Sequence, residues 1–224
     1  MKKEIVQYYD KLASEYDEDR FSNTYGKYIH QQERKVLEKY LDKNNIENNL
    51  DIACGTGRIL DFSATGMDIS QEMVKVSKEK YPEKNIIQGD AETIPFEENS
   101  FKNITSFHLF MHLDLETTKS ILTEVHRVLE KDGLFIFDIP SEKRRKLTNY
   151  KSENWHGGNQ ITLKTIEKII TDNWEVKAFH GIAFFPIHRI PISFRSKFVK
   201  FDSFLCNSTW KEYSSHLIFV LKKC

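Results

Sequence analysis

The stretch LDIACGTGR, Leu50 to Arg58, limits what this chain can fold into more than any other. Leu50 to Ala53 read as a short buried strand. Two glycines one residue apart, Gly55 and Gly57, follow where the strand hands over to helical residues. At the carboxyl end of a parallel strand, the next helix points free N–H groups and the positive end of its dipole at the strand edge. Glycine lets the backbone turn tightly there and lets a ligand come close, because no Cβ intervenes. Alone, a Gly-x-Gly fits a plain tight turn as well as the floor of a nucleotide-like site.

The pattern downstream is that of a parallel sheet covered on both faces. ATGMDIS reads as a strand ending near Asp68, KNIIQGD as a short third, FKNITSF as a fourth and GLFIFDIP as a fifth. Ser70 caps a predicted helix that runs to about Lys80. A second helix, LETTKSILTEVHRVLEK, is capped by Asp114. It carries Ile121, Leu122, Val125, Val128 and Leu129 on one face, with Gly133 as its expected left-handed stop. Residues 2–42 read as helices and 140–160 as a charged insert. A further helix is expected from Thr162 to about Asn173, then strands near WEVKAFHGIAFF and SSHLIFVLKK. The 224 residues suit one domain. Its expected parts are a helical lid over 1–45, a ligand-binding half over 46–139 and a substrate-side half with inserts over 140–224.

Acidic residues stand at two successive strand ends. Asp68 closes the second predicted strand and Asp90, in GDAE, the third. In doubly wound folds an acid at the second strand tip accepts hydrogen bonds from ribose hydroxyls, and its two oxygens can take both. Asp90 lies at the same edge, placed to accept from an adenine amino group. Each is also an ordinary loop cap; in order behind the glycine turn, they favour a nucleotide-like ligand.

Charge is balanced, 33 Lys+Arg against 33 Asp+Glu, which argues against a general nucleic-acid binder. Cys54, Cys206 and Cys224 are odd in number and widely spaced. They give no disulfide framework and no metal cluster, and a reducing, cytoplasmic setting is expected. The N-terminus lacks the apolar run of a signal peptide, and no run of about 18 apolar residues predicts a membrane span.

These motifs in this order resemble the class I S-adenosylmethionine-dependent methyltransferases of the small-molecule branch. LDIACGTGR stands as the first motif, GMDIS as the ribose motif, GDAETIPFEENSFK as the adenine motif and HRVLEKDGLFIFD before the fifth strand. The resemblance spans nearly the whole chain. It implies a Rossmann-like, doubly wound, mostly parallel seven-stranded sheet with helices on both faces and an N-terminal helical lid. It implies S-adenosylmethionine as cofactor and S-adenosylhomocysteine as product. Ala53, Gly55 and Gly57 would line the methionine and ribose. Asp68 would hold the ribose, Ile69 and Met73 would flank adenine, and Asp90 with Ala91 would read its edge. Phe107 would lie near the sulfonium. Tyr9, Tyr16 and Arg20 of the lid would approach the methionine end, Arg20 pairing with the carboxylate or remaining solvated. Ala53 stands where many relatives have glycine. Asp68 follows Gly57 by only eleven residues, against about twenty in dinucleotide sites. The first helix, GRILDF, is therefore expected to be one to two turns long, its usual face exposed or covered by another segment.

A sulfonium methyl is already electrophilic, so a general base is needed only for an acceptor that arrives protonated. In SFHLFMHLD, His108 and His112 lie close to the expected methyl position, and either is equally a packing residue. Cys54 reads as packing. No Asn-Pro-Pro-Tyr motif follows strand four, which lowers methylation of base amino groups. Residues 182–205 hold six phenylalanines and four Lys or Arg against one Asp. Phe194, Phe198, Phe201 and Leu205 recur at helical spacing, with Arg195, Lys197 and Lys200 as a basic rim. This is either an amphipathic helix for a membrane surface or greasy acceptor, or a helix packed on the sheet with solvated charges. Trp155 and His156 are an acceptor contact or a loop anchor. The expected activity is methyl transfer to a small, lipophilic or aromatic acceptor, with nucleic acid disfavoured and oligomeric state open. The alternatives are an inactive cofactor-binding partner subunit, and a nicotinamide oxidoreductase, which would want a third glycine where Leu60 stands.

Overall fold

The computed structural model describes residues 2–151, 159, 162–170 and 172–224. Seven strands form one sheet: β1 (Asn49–Ile52), β2 (Thr65–Asp68), β3 (Asn85–Gln88), β4 (Phe101–Ser106), β5 (Leu129–Pro140), β6 (Trp174–Ile182) and β7 (His216–Lys223). Their order is β3-β2-β1-β4-β5-β7-β6. The first five run parallel, and β7 pairs antiparallel with both β5 and β6. The chain winds outward from β1 one way to β3, then restarts beside it at β4. In such sheets the crevice at the carboxyl ends, where the winding reverses, is where ligands sit.

Eight α-helices accompany the sheet among the described residues: α1 (Lys2–Leu12), α2 (Tyr16–Phe21), α3 (Thr24–Tyr40), α4 (Gln71–Lys80), α5 (Leu115–Val128), α6 (Glu142–Leu147), α7 (Leu163–Ile169) and α8 (Ile192–Cys206). Side-chain caps start five of them as their sequences dictate. Asn23 accepts from Tyr25 and Gly26, Ser70 from Met73, Asp114 from Thr117, Ser141 from Arg144 and Thr162 from Thr165. Alternation along the strands sends side chains to two cores. Phe135, Phe137 and Phe219 pack with Ile121 and Val125 of α5, whereas Leu134, Ile136 and Val220 pack with Val36 and Leu37 of α3.

The first helix, expected at one to two turns, is a single 3-10 turn, Leu60–Phe62. Its Phe62 is nonetheless fully buried, because α3 lies where a longer helix would and joins Ile59 and Phe62 to the core. The second predicted helix ends at Val128 rather than at Gly133. Asp132 takes the left-handed conformation, φ +64°, and Gly133 continues β5. The helix after the insert stops at Ile169, short of Asn173. The 192–206 helix forms, but it buries Asp202 and Cys206 and leaves its phenylalanines out. Tyr28 Oη donates to Asp202 Oδ2 at 2.6 Å, and Phe185 N donates to Asp202 Oδ1 at 2.5 Å. The buried carboxylate thus ties α8 to α3 and to the end of β6.

Candidate active site

Where β1 ends, every second residue turns left-handed: Ala53 at φ +56°, Gly55 at +54° and Gly57 at +88°. This winding brings Gly55 N within 2.8 Å of Asp68 Oδ2 at the tip of β2, while Ser70 N donates to Asp68 Oδ1 at 2.9 Å. Burial pushes the Asp68 carboxyl up to about 6, against the pull of the Ser70 and Gly55 N–H groups. Ala53, Gly55, Asp68, Ile69, Met73 and Phe107 line one cavity at this edge. Ala91 and Asp90 line an adjoining one with Ile52 and Ile121, and Ala53, Ile69 and Leu109 wall both. The result is a trough with an acid at its middle and apolar flanks toward β3.

The two glycines do different work. A Cβ on Gly55 would meet nothing within 4 Å, so the backbone faces open space that a ligand can occupy. A Cβ on Gly57 would fall 2.6 Å from the Tyr81 ring and 2.9 Å from Ser77 Oγ. Gly57 therefore lets the turn press against α4. The open cradle at Gly55, the buried acid and the apolar walls fit an adenosine with a polar tail.

The N-terminal helices close over this trough through polar contacts to the strand ends. Lys2 Nζ sits 2.6 Å from Asp90 Oδ2 and also pairs with Glu92. Ser70 Oγ donates to Asp10 at 2.5 Å, Thr56 Oγ1 to Asp17 at 2.6 Å, and Lys80 pairs with Asp17. Asp90 is thus engaged by the lid. Arg20 Nη2 donates to Tyr8 Oη at 2.5 Å and borders a second, larger cavity of about 300 Å³. Tyr9, Tyr16, His108 and His112 line both this cavity and the trough. Tyr9 Oη lies 2.8 Å from His112 Nε2. Burial drives the Tyr9 phenol upward and the Tyr16 phenol up to about 12, so both remain donors.

Behind this wall lies a charged cluster that sequence reasoning missed. His108, at φ +63°, donates its backbone N–H to Asp138 Oδ1 at 2.6 Å. His216 Nδ1 is 3.1 Å from Asp138 Oδ2, and His108 Nδ1 is 3.7 Å from the same oxygen. His108 Nε2 lies 2.9 Å from Glu33 Oε1, close enough to bond but so misaligned that neither atom completes a hydrogen bond. Glu33, wholly buried on α3, also pairs with Arg58. Burial alone would lower the His108 imidazole, but Asp138 and Glu33 outweigh it and hold it above its usual value. Burial would raise Asp138, but His108 and His216 hold it down to about 2. Glu33 is likewise held low by Arg58 and His108 despite its burial. The signals were present as an acid in the apolar strand GLFIFDIP and an acid among Ile29, Val36 and Leu37 of α3. Trp155 and His156 lie outside the described residues.

Comparison with known proteins bears on this site. Residues 50–137 match the family described as "Methyltransferase domain". Over 138 residues the chain is 41% identical to an uncharacterized protein of Methanocaldococcus jannaschii, covering 60% of this chain and 51% of that one. The chain thus spans about half the length of that relative. Over 167 residues it is 30% identical to a demethylmenaquinone methyltransferase of Thermotoga maritima, covering 69% of this chain and 71% of the other. Among solved structures, a SAM-dependent methyltransferase of Thermotoga maritima shares the fold. Its TM-score is 0.72 at 16% identity, over 97% of this chain and 98% of that one.

Proposed function

The chain belongs to the S-adenosylmethionine-dependent methyltransferases, and on that premise we propose that it methylates a small, lipophilic or aromatic acceptor in the 300 Å³ cavity. The observation that carries this reading is the shared wall: Tyr9, Tyr16, His108 and His112 face both the cofactor trough and the larger cavity. A methyl donor on one side and an acceptor on the other would meet there.

The bound cofactor supplies an electrophilic methyl, which leaves alignment, exclusion of water and proton handling to the protein. Asp68 is placed to accept from ribose hydroxyls, Gly55 to let a ligand approach the protein backbone, and Ile69 and Met73 to flank the base. Asp90 and Ala91 border the adenine end, where the Asp90 carboxylate, held by Lys2, keeps lone pairs free for a ligand. Arg20, at the rim of the larger cavity, is within the lid that would meet the methionine end. Tyr9 and His112, already joined by a hydrogen bond, form the pair that takes a proton from an acceptor that arrives protonated. His108 is hemmed in by two carboxylates that favour its charged form, which suits positioning better than proton removal.

The lipophilic acceptor is supported by the aromatic lining and by α8. Phe194, Phe198, Phe201 and Phe204 are exposed there beside exposed Lys197 and Lys200. An apolar stripe with a cationic flank suits an anionic lipid surface. Among the described residues no helix is long and apolar enough to cross a membrane, so the contact would be peripheral. Free cysteines at 54, 206 and 224 accord with a reducing, cytoplasmic setting.

Calorimetric titration of S-adenosylhomocysteine tests the reading first. Micromolar binding by wild type and none by Asp68→Ala would support the cofactor and the ribose role. A screen for product release over lipophilic phenols and quinols would then identify the acceptor. Tight binding with no turnover on any acceptor would instead favour a non-catalytic partner subunit, and no binding by folded protein would overturn the proposal.

A further inference from the structure

We propose that His108, Asp138 and His216 bind one divalent transition-metal ion at the floor of the larger cavity. One ligand atom from each residue lies within 4.8 Å of the others. Asp138 Oδ1 is committed to the His108 backbone N–H, which leaves Oδ2 facing both imidazoles at 3.1 and 3.7 Å. Around a metal with bonds of about 2.1 Å, ligand atoms stand about 3 to 3.4 Å apart. The 3.1 Å spacing already fits, the 3.7 Å spacing closes with a few tenths of an ångström of side-chain rotation, and the two imidazoles, within 4.8 Å of each other, draw together as the ion seats.

The surroundings supply what such a site requires. A metal-bound histidine usually donates its other ring N–H to a carboxylate, which fixes the tautomer and aims the free lone pair at the ion. Glu33 Oε1, wholly buried and without a completed hydrogen bond, lies 2.9 Å from His108 Nε2 and fills that role. Turning the ring to align this bond is the same kind of motion that seats Nδ1. Charge points the same way. Glu33 and Asp138 are both buried carboxylates, and Arg58 pairs with Glu33 alone. One negative charge therefore remains for a cation or for a proton on an imidazole. His108 also holds a left-handed backbone, a cost typical of functional positions.

Two imidazoles and one carboxylate with open positions suit Zn²⁺, Fe²⁺ or Co²⁺ rather than Mg²⁺ or Ca²⁺. His108 and His216 both line the cavity, so the open positions face it. The ion would hold a hydroxyl of the acceptor and lower its pKa, a role that rests on the acceptor reading above. Binding of the ion does not rest on it.

The test titrates Co²⁺ into the metal-stripped, untagged chain and follows its visible d–d absorption, then displaces it with Zn²⁺. The expected result is one equivalent bound by wild type, at least tenfold weaker in His216→Ala and about tenfold weaker in Glu33→Gln. Each variant is also titrated with S-adenosylhomocysteine, so that loss of metal is separated from loss of fold and from failure of the methyltransferase reading. His216 sits at the partly exposed start of β7, which makes its variant the one least expected to unfold. Wild-type protein that binds S-adenosylhomocysteine but takes up no Co²⁺, or takes it up equally in His216→Ala, would overturn the site and leave a protonated imidazole as the balancing charge.

Discussion

Gly55 and Gly57 both sit at positive φ, yet their alanine variants are expected to fail differently. Gly57→Ala places a Cβ against Tyr81 and Ser77 and should cost about 2 kcal/mol or more, read as a lowered melting temperature. Gly55→Ala meets no protein atom, so the backbone penalty of about 1 kcal/mol stands alone while affinity for S-adenosylhomocysteine falls sharply. Asp68 predicts a pH dependence with a definite sign. Its carboxyl titrates near 6 in the fold, so below that pH a proton occupies the oxygens that ribose hydroxyls need. Affinity should be level above pH 6 and fall about tenfold per unit below it. A raised acid stabilises the fold as pH drops through this range, so calorimetry at pH 5 would read lost binding rather than unfolding. At this scale the sequence was legible where a motif carries a residue type at a strand end, as at Gly55 and Asp68. It was opaque for Glu33, Asp138 and His216. Their separations along the chain carry no spacing signature, and only the folded sheet brings them to His108.

The elements show a similar division. Strands, caps and the α5 face followed from periodicity and capping chemistry, because each depends on residues within a few positions of one another. The end of α5 did not, because β4 draws the chain into strand pairing at Leu129 before Gly133 is reached. Nor did the cover over Phe62, which comes from α3, more than twenty residues earlier in sequence. Leu37→Ala should therefore cost about 2 to 5 kcal/mol, a core penalty from a helix that sequence alone places in a lid; chemical denaturation would measure it. Helix α8 is anchored by a buried carboxylate and presents phenylalanines outward. Changing Phe194 and Phe204 together to serine should weaken sedimentation with anionic vesicles without lowering the melting temperature, since both side chains are more than half exposed. Unchanged sedimentation would remove the membrane reading of this helix.

Across the whole molecule, the cover on the trough is held largely by charge. Lys2 reaches Asp90 and Glu92, and Lys80 reaches Asp17, all through partly exposed groups that salt screens. Release of S-adenosylhomocysteine should quicken as ionic strength rises, and Lys2→Ala should quicken it at low salt, both by stopped flow. The helix behind this cover cannot move with it. Tyr28 meets Asp202, Gln32 Oε1 accepts from Ala183 N, and Tyr40 meets His180, contacts that join residues 140 to 174 positions apart. Synthesis therefore presents a problem of timing. The strands that carry the trough leave the ribosome early, but Glu33 has no His108 beside it until β4 has paired, and Asp138 has no His216 until the last strand is inserted. A nascent chain halted before β7 would carry one buried acid, Asp138, faced by His108 but not yet by His216. Late, all-at-once closure of the sheet is the route that avoids this, with slow folding as its signature.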